Sequence, residues 1–473
     1  MQANSLPVDF RVSYVGDQPL YLQIYQRFRD AILHGALPPG AKVPSIRALA
    51  SELNLSRNTI EKAYELLTGE GILVSNGQAG TAVASVDWPS ARGETPSVVP
   101  RVEDSSDWMR DWSAASPFQL GLPALDAFPL ATWITLAHRV ARERRTIREQ
   151  VGSQGYFPLR QTIAAYLQVS RGIVCDPSQV FVTTGYRQSL GLLVSALLGP
   201  GDNVWVEDPV YPPALKLLRR TGLIVVPIPV DYAGLDVSVG REIAPHARMA
   251  LVTPANQNPL GAVMSLRRRS ELLRWAATSD AWLFEDDYDS EFCADARRLP
   301  TLCGSDRNGR VIYLGSFSKA LHPGLRVSYI VVPSQLAPVL QEACNDLVDG
   351  GPISIHRTLA TFMQEGHFGR HLKRMRSLYT KRRTALVGAL EARLGHKLTV
   401  LPRATGLCIV AKLAPGISDV EAVERANMRG LAPGALSSRS IARDAGQGLL
   451  LGYTNFEDAT SIERAVDALA ACL

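Results

Sequence analysis

Apolar residues recur at helical spacing from about residue 20 to 34, with Leu22, Tyr25, Phe28, Ile32 and Leu33 on one stripe, the pattern of an amphipathic helix. Gly35 and Pro38-Pro39-Gly40 end it. Pro44-Ser45 opens a second helix with Ile46, Leu49, Ala50 and Leu53 inward, and Asn54-Leu55 makes a short turn. Ser56 then caps a third helix that buries Ile60, Ala63, Tyr64 and Leu67. Gly69-Glu70-Gly71 stops that helix, and Ile72-Leu73-Val74 and Thr81-Ala82-Val83 flank a glycine-rich tip, which reads as a hairpin. Over 84–116 no apolar period holds, and prolines alternate with Ser, Arg, Glu and Asp, which predicts a linker. Trp88, Trp108 and Trp112 predict that it docks rather than floats. From Pro117 onward, strand-like runs alternate with helical patterns, the runs being 180–183, 203–206, 224–226, 249–252, 281–284 and 311–314. That alternation predicts an α/β domain over 117–473, with a mostly parallel sheet wrapped in helices.

Three helices with a tight second-to-third turn, then a hairpin, predict a winged helix-turn-helix over 1–83. In such a fold the first turn of the third helix enters the major groove. Arg57, Asn58 and Thr59 then face base edges or phosphates, Lys42 and Arg47 neutralise phosphate, and Gly77 and Gly80 let the wing backbone approach closely. Residues 1–83 carry seven basic and seven acidic side chains, so binding of duplex DNA rests on placement rather than bulk charge. The competing reading is a small helical domain with solvated arginines.

Composition narrows the classes. A chain of 473 residues is too long for one core. It has no run of 18 apolar residues, so no membrane span is expected. The start lacks a basic region followed by an apolar one, so no secretory signal and a cytoplasmic location are expected. Six cysteines without C-x-x-C spacing read as reduced thiols, not as a zinc site or disulfide framework. The net charge of +5 decides little.

The chemistry clusters at strand ends, where ligands of such sheets bind. Ser316-Phe317-Ser318-Lys319 follows Val311–Leu314, and Arg326 lies just beyond. A lysine there can form a Schiff base with an aldehyde once its charge is suppressed. Ser316, Ser318 and Arg326 offer the hydroxyls and guanidinium that a phosphate takes. A lysine that meets both an aldehyde and a phosphate points to pyridoxal 5'-phosphate (PLP). Four other strand ends agree. Gly185-Tyr186-Arg187 opens a helix whose free amides favour phosphate. Tyr211 could stack on a pyridine, and Asn258 is held between turn-formers where its amide could donate to a ring hydroxyl. In Glu285–Phe292, period-two sorting points Asp286 and Tyr288 the same way. Asp286 would keep a pyridinium nitrogen protonated, and Tyr288 would hydrogen-bond the ring hydroxyl. A metal-binding acid cluster is the rival reading, with no histidine nearby to support it; no metal site is expected.

The segment LPPGAKVPSIRALASELNLSRNTIEKAYELLTGEGIL resembles the GntR-type winged helix. GSQGYFPLRQTIAAYL, VEDPVYP, TPANQNPLG, EDDYDSEF and SFSKALHPGLRVSYIV resemble the fold-type I aminotransferase domain of MocR-type regulators. The resemblance implies Lys319 as Schiff-base lysine, Asp286 for the ring nitrogen, Tyr288 and Asn258 for the ring hydroxyl, and Tyr211 for stacking. It implies Ser316, Ser318, Arg326 and the Gly185–Arg187 turn for phosphate. It also implies a homodimer in which each winged helix lies against the partner's large domain. Two arginines that hold a substrate carboxylate in relatives are absent: Pro213 and Leu450 stand in their places. Arg403 or Arg439 could substitute. Relatives also carry a tyrosine and an aspartate before Gly155, where this chain has Gln150 and Gly152.

Three readings follow. The first is a DNA-binding transcription regulator that senses PLP, or an amine or amino-acid effector, through a Schiff base. The second is a working aminotransferase with an accessory DNA-binding domain. The third is a DNA-binding protein with an empty second domain.

Overall fold

In the computed structural model, which describes residues 18–85, 115–143, 152–293, 299–402 and 406–473, the chain forms two units, Met1–Arg110 and Asp111–Leu473. Trp88, Trp108 and Trp112, with most of the expected linker, lie outside the described residues, as do Gln150 and Arg403.

The first unit is built on α1 (Leu20–Leu33), α2 (Ile46–Glu52) and α3 (Arg57–Gly69). Their apolar stripes meet in a core where Ile24, Phe28, Leu49, Ile60 and Leu67 are fully buried. The Phe28 ring meets Tyr64 edge-on at 5.5 Å. Ser45 and Ser56 accept from the amides of Ala48 and Thr59, at 3.2 Å each, so both short helices start on a side-chain cap. The wing pairs β1 (Leu73–Ser75) with β2 (Thr81–Val83), antiparallel. Gly77 and Gly80 at its tip have φ of 57° and 91°, a backbone that glycine adopts without strain. Residues 40–43 add a third ply, through Gly40 N to Val83 O at 3.0 Å and Val43 N to Thr81 O at 3.0 Å. Nothing in their sequence pattern announces this.

In the second unit the strands are β3 (Val180–Thr183), β4 (Asn203–Asp208), β5 (Ile224–Asp231), β6 (Gly234–Leu235), β7 (Met249–Val252), β8 (Trp282–Asp287), β9 (Val311–Ser316) and β10 (Ser328–Val331). They form one sheet in the order β3-β10-β9-β8-β7-β4-β5-β6. β5, β4, β7, β8 and β9 run parallel, whereas β10 runs antiparallel to both β3 and β9. The connection 317–327 is too short for the crossover a parallel neighbour needs, so β10 must turn back. Alternate residues feed cores on both faces: Val204, Val206 and Phe284 on one, Trp205 and Leu283 on the other, with Trp205 stacked on Trp275 at 3.8 Å.

A 28-residue helix, His367–Leu394, leads to a second sheet that the sequence reading did not separate. Its strands are β11 (Leu398–Val400), β12 (Cys408–Leu413), β13 (Gly434–Ala435) and β14 (Gly448–Gly452), antiparallel in the order β11-β12-β14-β13. Phe118, at the start of this unit, bridges to Gly452, with Gly452 N donating to Phe118 O at 2.9 Å. No helix among the described residues is long and apolar enough to cross a membrane.

Candidate functional site

Strand β9 ends at Ser316, whose hydroxyl accepts from Ser318 N at 3.1 Å and starts the short turn Phe317–Ala320. Phe317 and Ala320 are buried, which anchors the turn that carries Lys319. Lys319 Nζ donates to the carbonyl of Gly121. Gly121 has φ of 73°, and a Cβ there would sit 2.8 Å from Nζ. Glycine suits this position because of its φ, and a side chain there would have to displace the amine.

At one end of the site, Gly185 (φ 125°) is the N-cap of the helix Tyr186–Leu197. The guanidinium of Arg326 lies across Gly185, close enough that a Cβ would contact it at 3.4 Å. Ser328 donates to Ser316 at 3.1 Å and fixes that hydroxyl. Arg187 and Arg326 are exposed. Hydroxyls, a guanidinium and unpaired amides at a helix start thus converge. Tyr186 offers its backbone to this turn, while its side chain turns to the other end, where its ring meets Tyr211 edge-on at 5.9 Å.

At that other end Asp286 is buried. Burial pushes its carboxyl up to about 7, while the Tyr186 hydroxyl and the Lys319 ammonium pull it down. The Tyr186 hydroxyl is itself buried without a well-formed hydrogen bond. Tyr211 is 38% exposed, so its ring is available to a ligand. Asn258 is half-buried and acts on the Tyr288 hydroxyl. Tyr288 donates to Asn256 O at 3.1 Å and accepts from Asn256 Nδ2 at 3.0 Å. Burial lowers the Lys319 amine, and Asp289 followed by Asp286 raise it again, as opposite charges do.

The sequence reading left Gly121, Asn256 and Asp289 unassigned. Asn256 stands two residues from Asn258, and Asp289 was counted among the acids of its stretch. Period-two sorting stops being informative where β8 ends, at Asp287, so it could not place Asp289. Gly121 carries no local signal, because its partner is 198 residues away.

At the two positions where the resemblance implies carboxylate-binding arginines, Pro213 lies in the first turn of the helix Pro212–Arg220, and Leu450 is buried against Val410 and Leu436. Burial raises the pKa of both Tyr211 and Cys408, and the half-buried Arg439 opposes that rise, which puts a guanidinium at this end of the site. Among the described residues no cluster of three or more His, Cys, Asp or Glu could hold a metal ion.

One neighbour is structural. His356 is buried against Gly155 and Gly351 with neither ring nitrogen hydrogen-bonded, and burial holds its pKa down at about 4. A depressed pKa contributes stability that is present above the unfolded value of roughly 6.5 and lost as pH falls toward 4. Between pH 7 and pH 5 the loss is about 2 kcal/mol. His356→Leu is expected to flatten that part of the stability curve, read by urea denaturation at the two pH values.

Comparison with known proteins gives two family matches. Residues 20–83 match "Bacterial regulatory proteins, gntR family" and residues 119–431 match "Aminotransferase class I and II". The chain is 35% identical over 457 residues to the probable rhizopine catabolism regulatory protein MocR of Rhizobium meliloti, covering 94% of this chain and 92% of that protein. It is 30% identical to the pyridoxine biosynthesis transcriptional regulator PdxR of Corynebacterium glutamicum, over 78% of each. Among solved structures, LysN, an α-aminoadipate aminotransferase of Thermus thermophilus complexed with N-(5'-phosphopyridoxyl)-L-leucine, superposes with a TM-score of 0.68 at 28% identity. That match covers 75% of this chain and 91% of LysN.

Proposed function

Because the chain belongs to the MocR-type regulators of the GntR family, a winged helix-turn-helix joined to an aminotransferase-like domain, we propose that its second unit binds PLP at Lys319. In this reading the site serves to sense PLP itself or an amine effector. The protein is a transcription regulator, and its GntR domain implies DNA binding.

The observation that carries the proposal is the convergence on Lys319 of groups from distant strand ends. The residues present fit the cofactor. Gly185 sets the helix start against the Arg326 guanidinium, the buried Tyr186 hydroxyl lacks a well-formed hydrogen bond, and the Tyr211 ring is partly exposed. Gly185, Arg187, Ser316, Ser318 and Arg326 would hold the phosphate. Asp286 and Tyr186 would face the ring nitrogen, Asn258 and Tyr288 the ring hydroxyl, and Tyr211 the ring face. Bound there, PLP supplies an aldehyde that condenses with primary amines and a ring that withdraws electrons.

The chain's own residues prepare this chemistry. Burial favours the neutral, nucleophilic form of the Lys319 amine. Asp286, raised by the same burial, can hold a proton near neutral pH and, when ionised, would pair with a protonated ring nitrogen. Leu450 and Pro213 leave the substrate without its usual carboxylate clamp, and turnover needs an oriented substrate. This favours sensing over sustained transamination.

On the DNA side, Arg57 and Asn58 are exposed on the first turn of α3, with Thr59 half-buried. Lys42 and Arg47 are exposed as well, as are Gly77 and Gly80 at the wing tip. The protein would act as a homodimer, its effector altering DNA geometry through different affinity for two states. Footprinting of the full-length protein with and without PLP tests the reading: the protected pattern is expected to change with PLP or an added amine. A pattern indifferent to both, or multiple-turnover transamination with any donor and acceptor pair, would defeat it.

A further inference from the structure

Helix α3 of the first unit has one apolar side and one open side. At about 3.6 residues per turn, Asn58, Glu61, Lys62 and Glu65 lie opposite the buried Ile60, Ala63, Tyr64 and Leu67, and all four are exposed. Two of the polar groups near its start are already engaged. The Thr59 hydroxyl is 2.7 Å from Ser56 Oγ, and Lys62 Nζ lies over the Tyr21 ring, 5.9 Å from its centroid. Glu61 differs: among the described residues it makes no hydrogen bond or ion pair. Arg57 stands four residues before it, a spacing that does pair charges at Arg267–Glu271 and Glu421–Arg425. Here the two charges stay apart.

That placement costs affinity. Duplex DNA carries one negative charge per about 1.7 Å of axis. Residues 1–83 bring no net charge against it, with seven basic and seven acidic side chains. A carboxylate on the helix that enters the groove therefore weakens binding to DNA in general. The major groove offers it one kind of partner, an amino group on a base edge. Cytosine presents its N4 amino group with no acceptor of its own beside it. The adenine amino group stands next to N7, whose lone pair repels a carboxylate. The reach is right as well. Glu61 lies about 6 Å along the helix axis from Arg57, just under two base pairs at about 3.4 Å each. The N-terminal residues of a recognition helix are the ones that reach base edges. Glu65, about 12 Å from Arg57, lies beyond them.

We infer that Glu61 is a specificity residue of the DNA-binding unit. Its carboxylate accepts from the amino group of a cytosine in the operator, at a cost in affinity for all other DNA. This rests on the reading that the GntR-type unit docks α3 in the major groove.

The test is binding-site selection by the full-length protein, with PLP added, from a library of duplexes randomised over a central segment, read by sequencing. The wild type is expected to enrich sites with a C·G position preferred about tenfold or more over the other pairs. That position should fall within about two base pairs of the one that Arg57→Ala relaxes. Glu61→Ala should lose the preference there alone, and should bind an unselected duplex more tightly than the wild type does. Glu61→Gln keeps the shape of the side chain and serves also if Glu61→Ala disturbs the helix. It should shift the preference toward adenine, the base that a carboxamide pairs with. Glu65→Gln should select the wild-type sites. Identical sites for the wild type, Glu61→Ala and Glu61→Gln would overturn the inference. So would a preference lost equally at every position, the mark of a structural role. A wild type that enriches no sequence would instead defeat the DNA-binding reading itself, and this inference with it.

Discussion

Lys319→Ala is expected to abolish the visible absorbance acquired with PLP, together with every PLP- or amine-dependent change in the DNA footprint. The Nζ atom is the one amine among the groups that meet here, and no neighbouring side chain can replace its bond to an aldehyde. Lys319→Arg keeps a positive charge near Asp286 and Asp289 but cannot condense, so it should behave like the alanine variant in absorbance. Basal DNA affinity should persist in both, since Lys42, Arg47, Arg57 and Asn58 belong to the other unit. A footprint of Lys319→Ala that still responds to PLP would show that the lysine is dispensable and the sensing reading wrong.

Phe28→Ala carries the second large effect. Phe28 is fully buried at the centre of the α1–α3 core, against Tyr64. Truncating such a residue costs about 3–5 kcal/mol, comparable with the whole stability of a domain this small, which is roughly 3–10 kcal/mol. The first unit should unfold, and operator binding should be lost at all salt concentrations, while PLP absorbance in the second unit survives. Arg57→Ala, on the exposed start of α3, should cost only about 1–3 kcal/mol of binding, with the fold intact. Electrophoretic mobility shifts, alongside circular dichroism of each variant, separate the two kinds of loss.

Much of this architecture was legible because local signals agreed. Ser45 and Ser56 are caps, the stripes of α1 and α3 have helical period, and the helix boundaries fall within a residue or two of those read from sequence. The residues proposed for the cofactor lie at strand ends, where ligands of open α/β sheets bind. What escaped had no local signature. The reversal of β10 follows from a short connection, and the third ply of the wing comes from residues 40–43, which lack a strand pattern. Asn256 and Asp289 become meaningful only when the 253–258 turn and the end of β8 are brought side by side. Arg439 reaches Tyr211 from a turn more than 200 residues away in sequence. The second role of Tyr186 was also hidden: its backbone starts the helix, while its side chain packs on Tyr211.

The bond between Lys319 and Gly121 has a mechanical meaning. Gly121 belongs to the first stretch of the second unit, pinned to the C-terminal sheet through Phe118 and Gly452 and through Ala432 N to Pro117 O at 2.8 Å. The first described stretch of the second unit is therefore clasped by the same nitrogen that, on the proposed reading, an aldehyde would claim. An ammonium has three hydrogens to give; a Schiff-base nitrogen has at most one. If Lys319 is the cofactor lysine, as proposed, the clasp and an aldehyde would draw on a single atom.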